Sequence, residues 1–440
     1  MASFPHKSDF QSRFPTLDSS LASEIAGRFG SPVYLFDIQG MLNWFDRFQS
    51  AARSRYSHSS VAVSVKTNPL AGLLLRLFNH GALAEVISGS EYQLAKHLQI
   101  PDSRIVFNGP AKNDSQLREA ILGEARVHCD HPDEVDRIEE IARQENLIAP
   151  IGLRIYQDRP ENFNRFGFAI GDNLRDCEAT EAVKRICQSP HLTFAGIHSH
   201  IGTNIRDLSR FRQLGHDLHD YAMFIRGHFG FDLRWINVGG GLAGISPTNA
   251  EAETVDAFPV ACPEAYTDAV ITPLLPVLES STAETQLLFE PGRALFDPWG
   301  AILTTVVGRR PSNRHSEPAV ILDAGITHLA LSEKFNHPIH ICKVAEDPSA
   351  SSRMTRFLGP TCMQRDEVHR PCQSAELERG DHVVIYGAGG YSMTLAIPFV
   401  NYRAGVVGWE GDEFHWLRKP ETLEHKMRLE DVGLPSEVQA

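Results

Sequence analysis

The sequence predicts an α/β chain in two parts: a (β/α)8 barrel, then a mostly β C-terminal domain that also takes in an N-terminal strand. Three observations predict this. Short apolar, β-branched runs alternate with longer amphipathic stretches through the first two thirds of the chain. Past Pro291 the strand-like runs follow one another without helices between them. The 440 residues also exceed one ordinary domain, at about 150 residues each, whereas a barrel alone takes ~250.

The first strand signal, residues 32–37 (PVYLFD), precedes the barrel and is expected to pair with the C-terminal domain. Eight barrel strands follow at 61–66 (VAVSVK), 82–88 (ALAEVIS), 104–108 (RIVFN), 125–130 (ARVHCD), 151–156 (IGLRIY), 194–200 (FAGIHSH), 233–238 (LRWINV) and 286–290 (QLLFE). Helical segments lie between them: 90–98 opens on a serine cap, 114–122 on an aspartate, and 207–230 is long and amphipathic. Residues 306–307, 319–324, 339–344 and 382–386 read as strands of the second domain, with 309–318 and 346–353 as loops. The predicted boundaries are 38–290 for the barrel, and 1–37 together with 291–440 for the β-rich domain.

Composition narrows the function. A chain that is 42% hydrophobic and 22% charged has material for a large core and is not disordered. A formal charge of −13 without a basic run speaks against nucleic-acid and anionic-membrane partners. No apolar stretch approaches the ~20 residues that span a bilayer, and residues 1–20 lack the apolar region of a signal peptide. Seven scattered cysteines, with no CxxC, predict a reduced cytoplasmic protein without a disulfide framework.

In such a barrel the chemistry gathers at the C-terminal ends of the strands. Those ends carry Lys66, Glu85, Asn108, Arg154, His198 with His200, Gly239–Gly240–Gly241, and Glu290 followed by Pro291, Gly292 and Arg293. This set suits an anionic cofactor with a carbonyl to capture. A lysine buried at the end of an apolar strand favours its neutral, nucleophilic form; the commoner reading of a lone strand-end lysine is one that snorkels to water. Consecutive glycines let backbone amides approach a phosphate, or make a flexible turn. In EPGR, Arg293 suits a phosphate and Glu290 a protonated ring nitrogen; the alternative is a surface ion pair. His198 and His200 are expected on one face of a strand, as a packing pair or as half of a metal site. The neighbouring strand ends supply few further ligands, so no metal is expected. Cys362, in GPTC, is either an inert core residue or a thiol that reaches the site.

Taken in order, these motifs resemble the fold-type III pyridoxal-phosphate decarboxylases, the family of diaminopimelate and ornithine decarboxylases. The matching pieces are SVKTN (64–68), EVISGSE (85–91), FNGPAK (107–112), RFGF (165–168), GIHSHIGT (196–203), NVGGG (237–241), EPGR (290–293), DAG (323–325), GPTC (359–362) and GAGGYSM (387–393). The resemblance implies pyridoxal 5'-phosphate as cofactor, an amino acid as substrate, and CO2 and an amine as products. It implies that Lys66 binds the cofactor aldehyde and that His200 stacks on the ring. Glu290 would pair with the ring nitrogen, and Thr203, Gly239, Gly240, Gly241, Gly292 and Arg293 would hold the phosphate. It further implies a homodimer with shared active sites, to which Cys362 is supplied across the interface to protonate Cα. Glu91 and Arg165 fall where the family places an inter-subunit ion pair. Arg154, Asp323, Met363 and Asp366 are the expected substrate contacts.

Two departures stand out. Where commoner family members have an acidic residue after the cysteine, this chain has Met363, and the acid comes only at Asp366. Met363 cannot pair with a distal ammonium, which points to a modified, conjugated or carrier-linked amino acid rather than a plain diamino acid; the resemblance itself keeps diaminopimelate-like and basic amino acids as candidates. The family's GAY segment reads GAGGY, so the phosphate-binding tyrosine is either replaced by Gly389 or moved to Tyr391. Three other readings remain at this point: a racemase or epimerase on the same cofactor, a non-catalytic homologue that binds a protein partner, and a metal hydrolase.

Overall fold

The computed structural model describes residues 17–158, 165–253, 261–282, 284–314, 316–344 and 352–430. They form two compact units: the described residues within 42–244 and 261–295 make one, and those within 17–41, 245–253 and 296–430 the other. Assignment of 245–253 to the second unit has no counterpart in the predicted boundaries.

The chain order of the strands is β1 (Val33–Asp37), β2 (Ser59–Ser64), β3 (Leu83–Val86), β4 (Ile105–Phe107), β5 (Arg126–Cys129), β6 (Ala149–Gln157), β7 (Phe168–Ile170), β8 (Leu192–His198), β9 (Trp235–Asn237) and β10 (Gln286–Phe289). In the first unit β5-β4-β3-β2-β10-β9-β8-β6 pair in that order, and β5 pairs with β6 to close the ring. Every pair in it is parallel. This is the predicted eight-stranded barrel, each strand within a few residues of its expected place. β7 is an unpredicted ninth strand, parallel to the outer end of β6. Parallel strands between helices are buried on both faces, and Leu83–Val86 is buried throughout.

The helices follow their caps. The Gly89–His97 helix is capped by Ser88, whose side chain accepts from the Glu91 amide, so the cap lies two residues before the predicted Ser90. Asn113 and Gln116 form a capping box at Asp114–Leu122. Asp207 opens Leu208–Phe229, and Gly230, at φ +77°, closes it in the left-handed conformation.

The second unit adds β11 (Gly300–Arg310), β12 (Ala319–Leu322), β13 (Ile339–Cys342), β14 (Arg353–Leu358), β15 (Glu367–Ser374), β16 (His382–Tyr386), β17 (Gly405–Glu410) and β18 (Glu413–Arg418). Its sheet runs β15-β14-β12-β11-β1-β17-β18, and β16 joins β11 to β13. The early strand β1 does lie in this sheet, between β11 and β17. Strands β14, β15, β17 and β18 were not expected. β15 carries Glu367, His369, Arg370 and Gln373 beside its apolar residues and lies at the sheet's edge, which hides the strand signal. Part of the predicted 346–353 loop lies outside the described residues.

Candidate active site

Period-two alternation in the barrel strands explains why polar groups converge. Leu83, Val106, Trp235 and Leu288 belong to one buried apolar cluster. Two residues further along each chain stand Glu85, Asn108, Asn237 and Glu290, on the same face of their strands and nearer the C-terminal ends. All four are buried.

Lys66 lies beyond its strand, in the single turn Val65–Thr67 that follows β2. It is therefore not a lysine lodged in an apolar strand, and its Nζ donates to Glu85 Oε2. Burial on its own would raise the Glu85 pKa; the Lys66 charge and the hydrogen bonds from Lys66, Ser64 and Asn108 outweigh it and hold this carboxyl below its ordinary value. Glu290 is pushed the other way, up to about 7, by burial and by the Glu85 charge, against Lys66, Asn237 and Asn108. Asn108 Nδ2 donates to both acids, at 3.0 Å to Glu85 Oε1 and 2.9 Å to Glu290 Oε1. Asn237 Nδ2 adds a 2.7 Å bond to Glu290 Oε1, while its own Oδ1 accepts from the Gly239 amide at 2.9 Å.

His200 does not share a strand with His198: β8 ends at His198, and His200 sits half-buried in the loop after it. There its Nδ1 accepts from the Gly240 amide at 3.1 Å, which places the ring proton on Nε2. Burial, with Lys66 and Arg154 nearby, lowers its pKa to about 4, so the ring is neutral at pH 7. His198 is buried with neither ring nitrogen hydrogen-bonded; Nε2 stands 3.7 Å from Glu290 Oε2. Burial pushes His198 well below the ordinary histidine range. Among the described residues no three of His, Cys, Asp and Glu are grouped to hold a metal ion.

The glycine run has no room for side chains. A Cβ at Gly240 would lie 2.1 Å from the Glu290 carbonyl oxygen, and one at Gly241 would lie 2.4 Å from that of Gly202, with φ +104° besides. Gly292 meets Thr67 Oγ1 in the same way, at 2.4 Å. Thr203 is exposed in the loop after β8 and Arg293 half-buried after Glu290. Arg154 pairs with Asp130 at 3.4 Å, and its guanidinium lies 4.5 Å from the Phe166 ring centroid. A cavity of about 530 Å³ is lined by Arg154, Phe166, His200, Thr203 and Gln213 among others.

In the second unit, Cys362 is exposed and Met363 half-buried. Both line a cavity of about 570 Å³ that also takes in Arg310, Glu317 and Arg356. The two acids expected at the substrate are used differently. Asp366 is buried, and its Oδ1 and Oδ2 accept the backbone amides of Ile326 at 2.8 Å and Thr361 at 2.9 Å. Asp323 Oδ1 accepts from Thr304 Oγ1 at 2.6 Å and from the Thr305 amide at 2.9 Å. Each is a carboxylate filling backbone and hydroxyl donors that burial would otherwise strand. At Gly389 a Cβ would lie 1.9 Å from the Phe296 carbonyl oxygen, so no tyrosine fits there. Tyr391, two residues later, stands at φ +66°. Glu91 Oε2 accepts from the Ile87 amide at 2.8 Å.

The site residues absent from the sequence reading are Asn237, His128 and Trp235. Their signal was a polar or bulky residue inside an apolar strand, in LRWINV and ARVHCD.

A closed parallel barrel with a lysine–carboxylate pair, a second buried acid, a neutral imidazole and a side-chain-free glycine cradle at its strand ends defines a pyridoxal-phosphate enzyme of the barrel class. The comparisons carry this further. Residues 43–297 match the family model described as pyridoxal-dependent decarboxylase, pyridoxal binding domain. The chain belongs to that family, and it is a pyridoxal-phosphate-dependent amino-acid decarboxylase. It is 28% identical to the diaminopimelate decarboxylase of Zymomonas mobilis, over 92% of this chain and 94% of that protein. It is 26% identical to the diaminopimelate decarboxylase of Aquifex aeolicus, over 91% and 92%. The crystal structure of diaminopimelate decarboxylase from Helicobacter pylori complexed with L-lysine superposes with a TM-score of 0.79 at 25% identity, covering 93% of this chain and 99% of that one. The M. jannaschii diaminopimelate decarboxylase gives a TM-score of 0.83 at 24% identity, over 93% and 94%.

Proposed function

We propose that the barrel mouth decarboxylates a diaminopimelate-like, basic, or conjugated or carrier-linked amino acid, with Lys66 and Glu290 dividing the cofactor's two chemical ends. The observation that carries this is the pair of buried acids, one on Lys66 and one held by two asparagine amides, joined through Asn108. Pyridoxal phosphate, when bound, supplies an aldehyde that captures amines and a pyridine ring that draws in the electrons freed as CO2 leaves.

The chain's own groups serve that chemistry. Lys66 is the nucleophile for the aldehyde, and Glu85 holds its Nζ in place. Glu290 would hold the ring-nitrogen end of the cofactor, since its raised pKa marks an anion that gains from a cationic partner. His200, neutral, would lie against the ring, as the resemblance implies. The Gly241 amide would hold the phosphate, with Thr203, Arg293 and Tyr391 as the resemblance implies; the amides of Gly239, Gly240 and Gly292 donate to Asn237 Oδ1, His200 Nδ1 and the Glu290 carbonyl, so these three glycines would give the phosphate room rather than hydrogen bonds. Cys362 Sγ delivers the proton to substrate Cα, from a second copy of the chain as the resemblance implies. Arg154 would meet the substrate from the barrel and Met363 from the copy of the chain that supplies Cys362, and Asp323 and Asp366 shape the loops beside Met363 and Cys362. A thioether after the cysteine favours a substrate whose distal end carries no free ammonium at that point. Homodimerisation and a cytoplasmic location belong to the same reading; no helix among the described residues is long and apolar enough to cross a membrane.

Borohydride reduction of the holoenzyme followed by peptide mapping tests the core of this: the label is expected on Lys66. A mass-spectrometric screen of diaminopimelate, ornithine, lysine and citryl- or carrier-linked amino acids then reads the amine product. Chiral inversion without CO2 release would make the enzyme a racemase and overturn the proposal.

A further inference from the structure

Below the two acids the barrel holds a feature that their chemistry leaves unused. His128, Gly152, Gly196 and Trp235 are register partners across the adjacent strands β5, β6, β8 and β9. Two glycines stand in the middle of this row where a barrel normally packs branched side chains. A Cβ at Gly196 would lie 2.3 Å from Trp235 Nε1, and one at Gly152 would lie 2.7 Å from His128 Cδ2. The empty positions let the indole reach across, and Trp235 Nε1 donates to His128 Nε2 at 2.9 Å.

An indole N–H can only donate, so His128 Nε2 must accept and the ring proton must sit on Nδ1. Nδ1 stands 2.8 Å from Asn108 Oδ1, and therefore donates to it. That fixes the Asn108 carboxamide with its oxygen toward the imidazole and its NH2 toward Glu85 and Glu290. All five side chains are buried, so water offers these atoms no ready substitute. Burial, with Lys112, Arg126 and Arg154 nearby, lowers the His128 pKa to about 3, which keeps the ring to a single proton.

We infer that Trp235 and His128 are positioning residues: by fixing the His128 tautomer they hold the Asn108 amide in the orientation that gives both carboxylates a donor. The inference rests on the assignment of Lys66 and Glu290 above. With the amide reversed, Oδ1 would face two carboxylate oxygens and Glu290 would lose a charge-assisted bond. Glu290 would then bind its proton more tightly, so that a larger fraction would be uncharged at a given pH and unable to accept from a ring-nitrogen proton. The other groups that face Glu290 are Glu85, Lys66, Asn237, His198 and Tyr266, with Arg154 further off; of these His198 packs against the His128 ring, 5.1 Å between centroids, so Trp235→Phe is the variant that leaves that contact in place.

The test uses the holoenzymes of Trp235→Phe, His128→Leu and His128→Gln. Phe removes only the indole donor, Leu removes the whole relay, and Gln keeps one acceptor and one donor. Borohydride labelling is expected at Lys66 in the wild type and all three variants. Trp235→Phe and His128→Leu should lower kcat by about 10–100-fold with little change in KM, in the range of outer-shell substitutions, and move the acidic limb of the kcat–pH profile upward. His128→Gln should recover most of both. Wild-type kcat and an unmoved limb in Trp235→Phe and His128→Leu overturn the inference. So does a lower melting temperature with the limb in place, or a Gln variant no better than Leu. An unlabelled Lys66 in the wild type removes the cofactor assignment itself, and that result is distinct from any of these.

Discussion

Lys66 and Glu85 form an ion pair in which the glutamate side chain is 1% exposed and the lysine side chain 28% exposed. The acid is enclosed, and the lysine is the member that reaches the surface. Glu85→Gln keeps the shape and removes the charge. Lys66 should still take the borohydride label, while kcat falls by about 10–100-fold, as expected when the support of a reacting group is lost. Turnover equal to the wild type would make the pair incidental.

Glu290 sets a pH dependence of stability whose sign can be worked out. Its folded pKa is raised to about 7, against ~4.3 for an exposed glutamate. The folded chain therefore binds this proton more tightly than the unfolded chain. Its contribution is fully present below ~4.3 and is lost as pH rises through about 7. In the cofactor-free protein, the melting temperature of the wild type relative to Glu290→Gln should fall as pH rises from about 5 to about 8. A constant difference would show that the carboxyl is not buried as described.

The glycine cradle separates crowding from backbone freedom. Gly240→Ala must move the Glu290 carbonyl, so a loss of ~1–3 kcal/mol is expected in urea unfolding, together with weaker cofactor retention. Gly227, exposed within the Leu208–Phe229 helix, has no atom within 4 Å of an added Cβ. Gly227→Ala should instead stabilise by about 0.5–1 kcal/mol. Equal responses at the two sites would contradict the crowding argument.

Asp366 ties the Gly359–Cys362 turn to Ile326 through two backbone amides. Asp366→Ala leaves both amides without an acceptor and should cost ~1–3 kcal/mol. It should also slow product formation in step with Cys362→Ala, which itself leaves Lys66 labelling intact. If Asp366→Ala turned over substrate normally, the placement of Cys362 would not depend on that turn.

The barrel was legible because its strands are buried on both faces and read as bare apolar runs punctuated by strand-end residues such as Glu85 and Glu290. The second sheet was harder to read. β17 and β18 form a short antiparallel pair with register shifts, and β14 and β15 mix charged with apolar residues. Asp366 could be found by its place in the motif, but its carboxylate was assigned to substrate, because sequence shows that an acid is present and not which donors it meets.

The order of the chain by itself determined the barrel and the cofactor class and pointed to Lys66, His200, Glu290 and Arg293 as candidates, since each rests on local pattern or on a short run of neighbours. Only the tertiary structure decided what those residues answer to. Glu85 on Lys66, Asn108 between two acids, and Trp235 reaching His128 across two glycines join positions from 19 to 182 residues apart. The physical reason is closure: a ring of parallel strands points alternate side chains inward, so groups far apart in the chain become neighbours when the last strand meets the first.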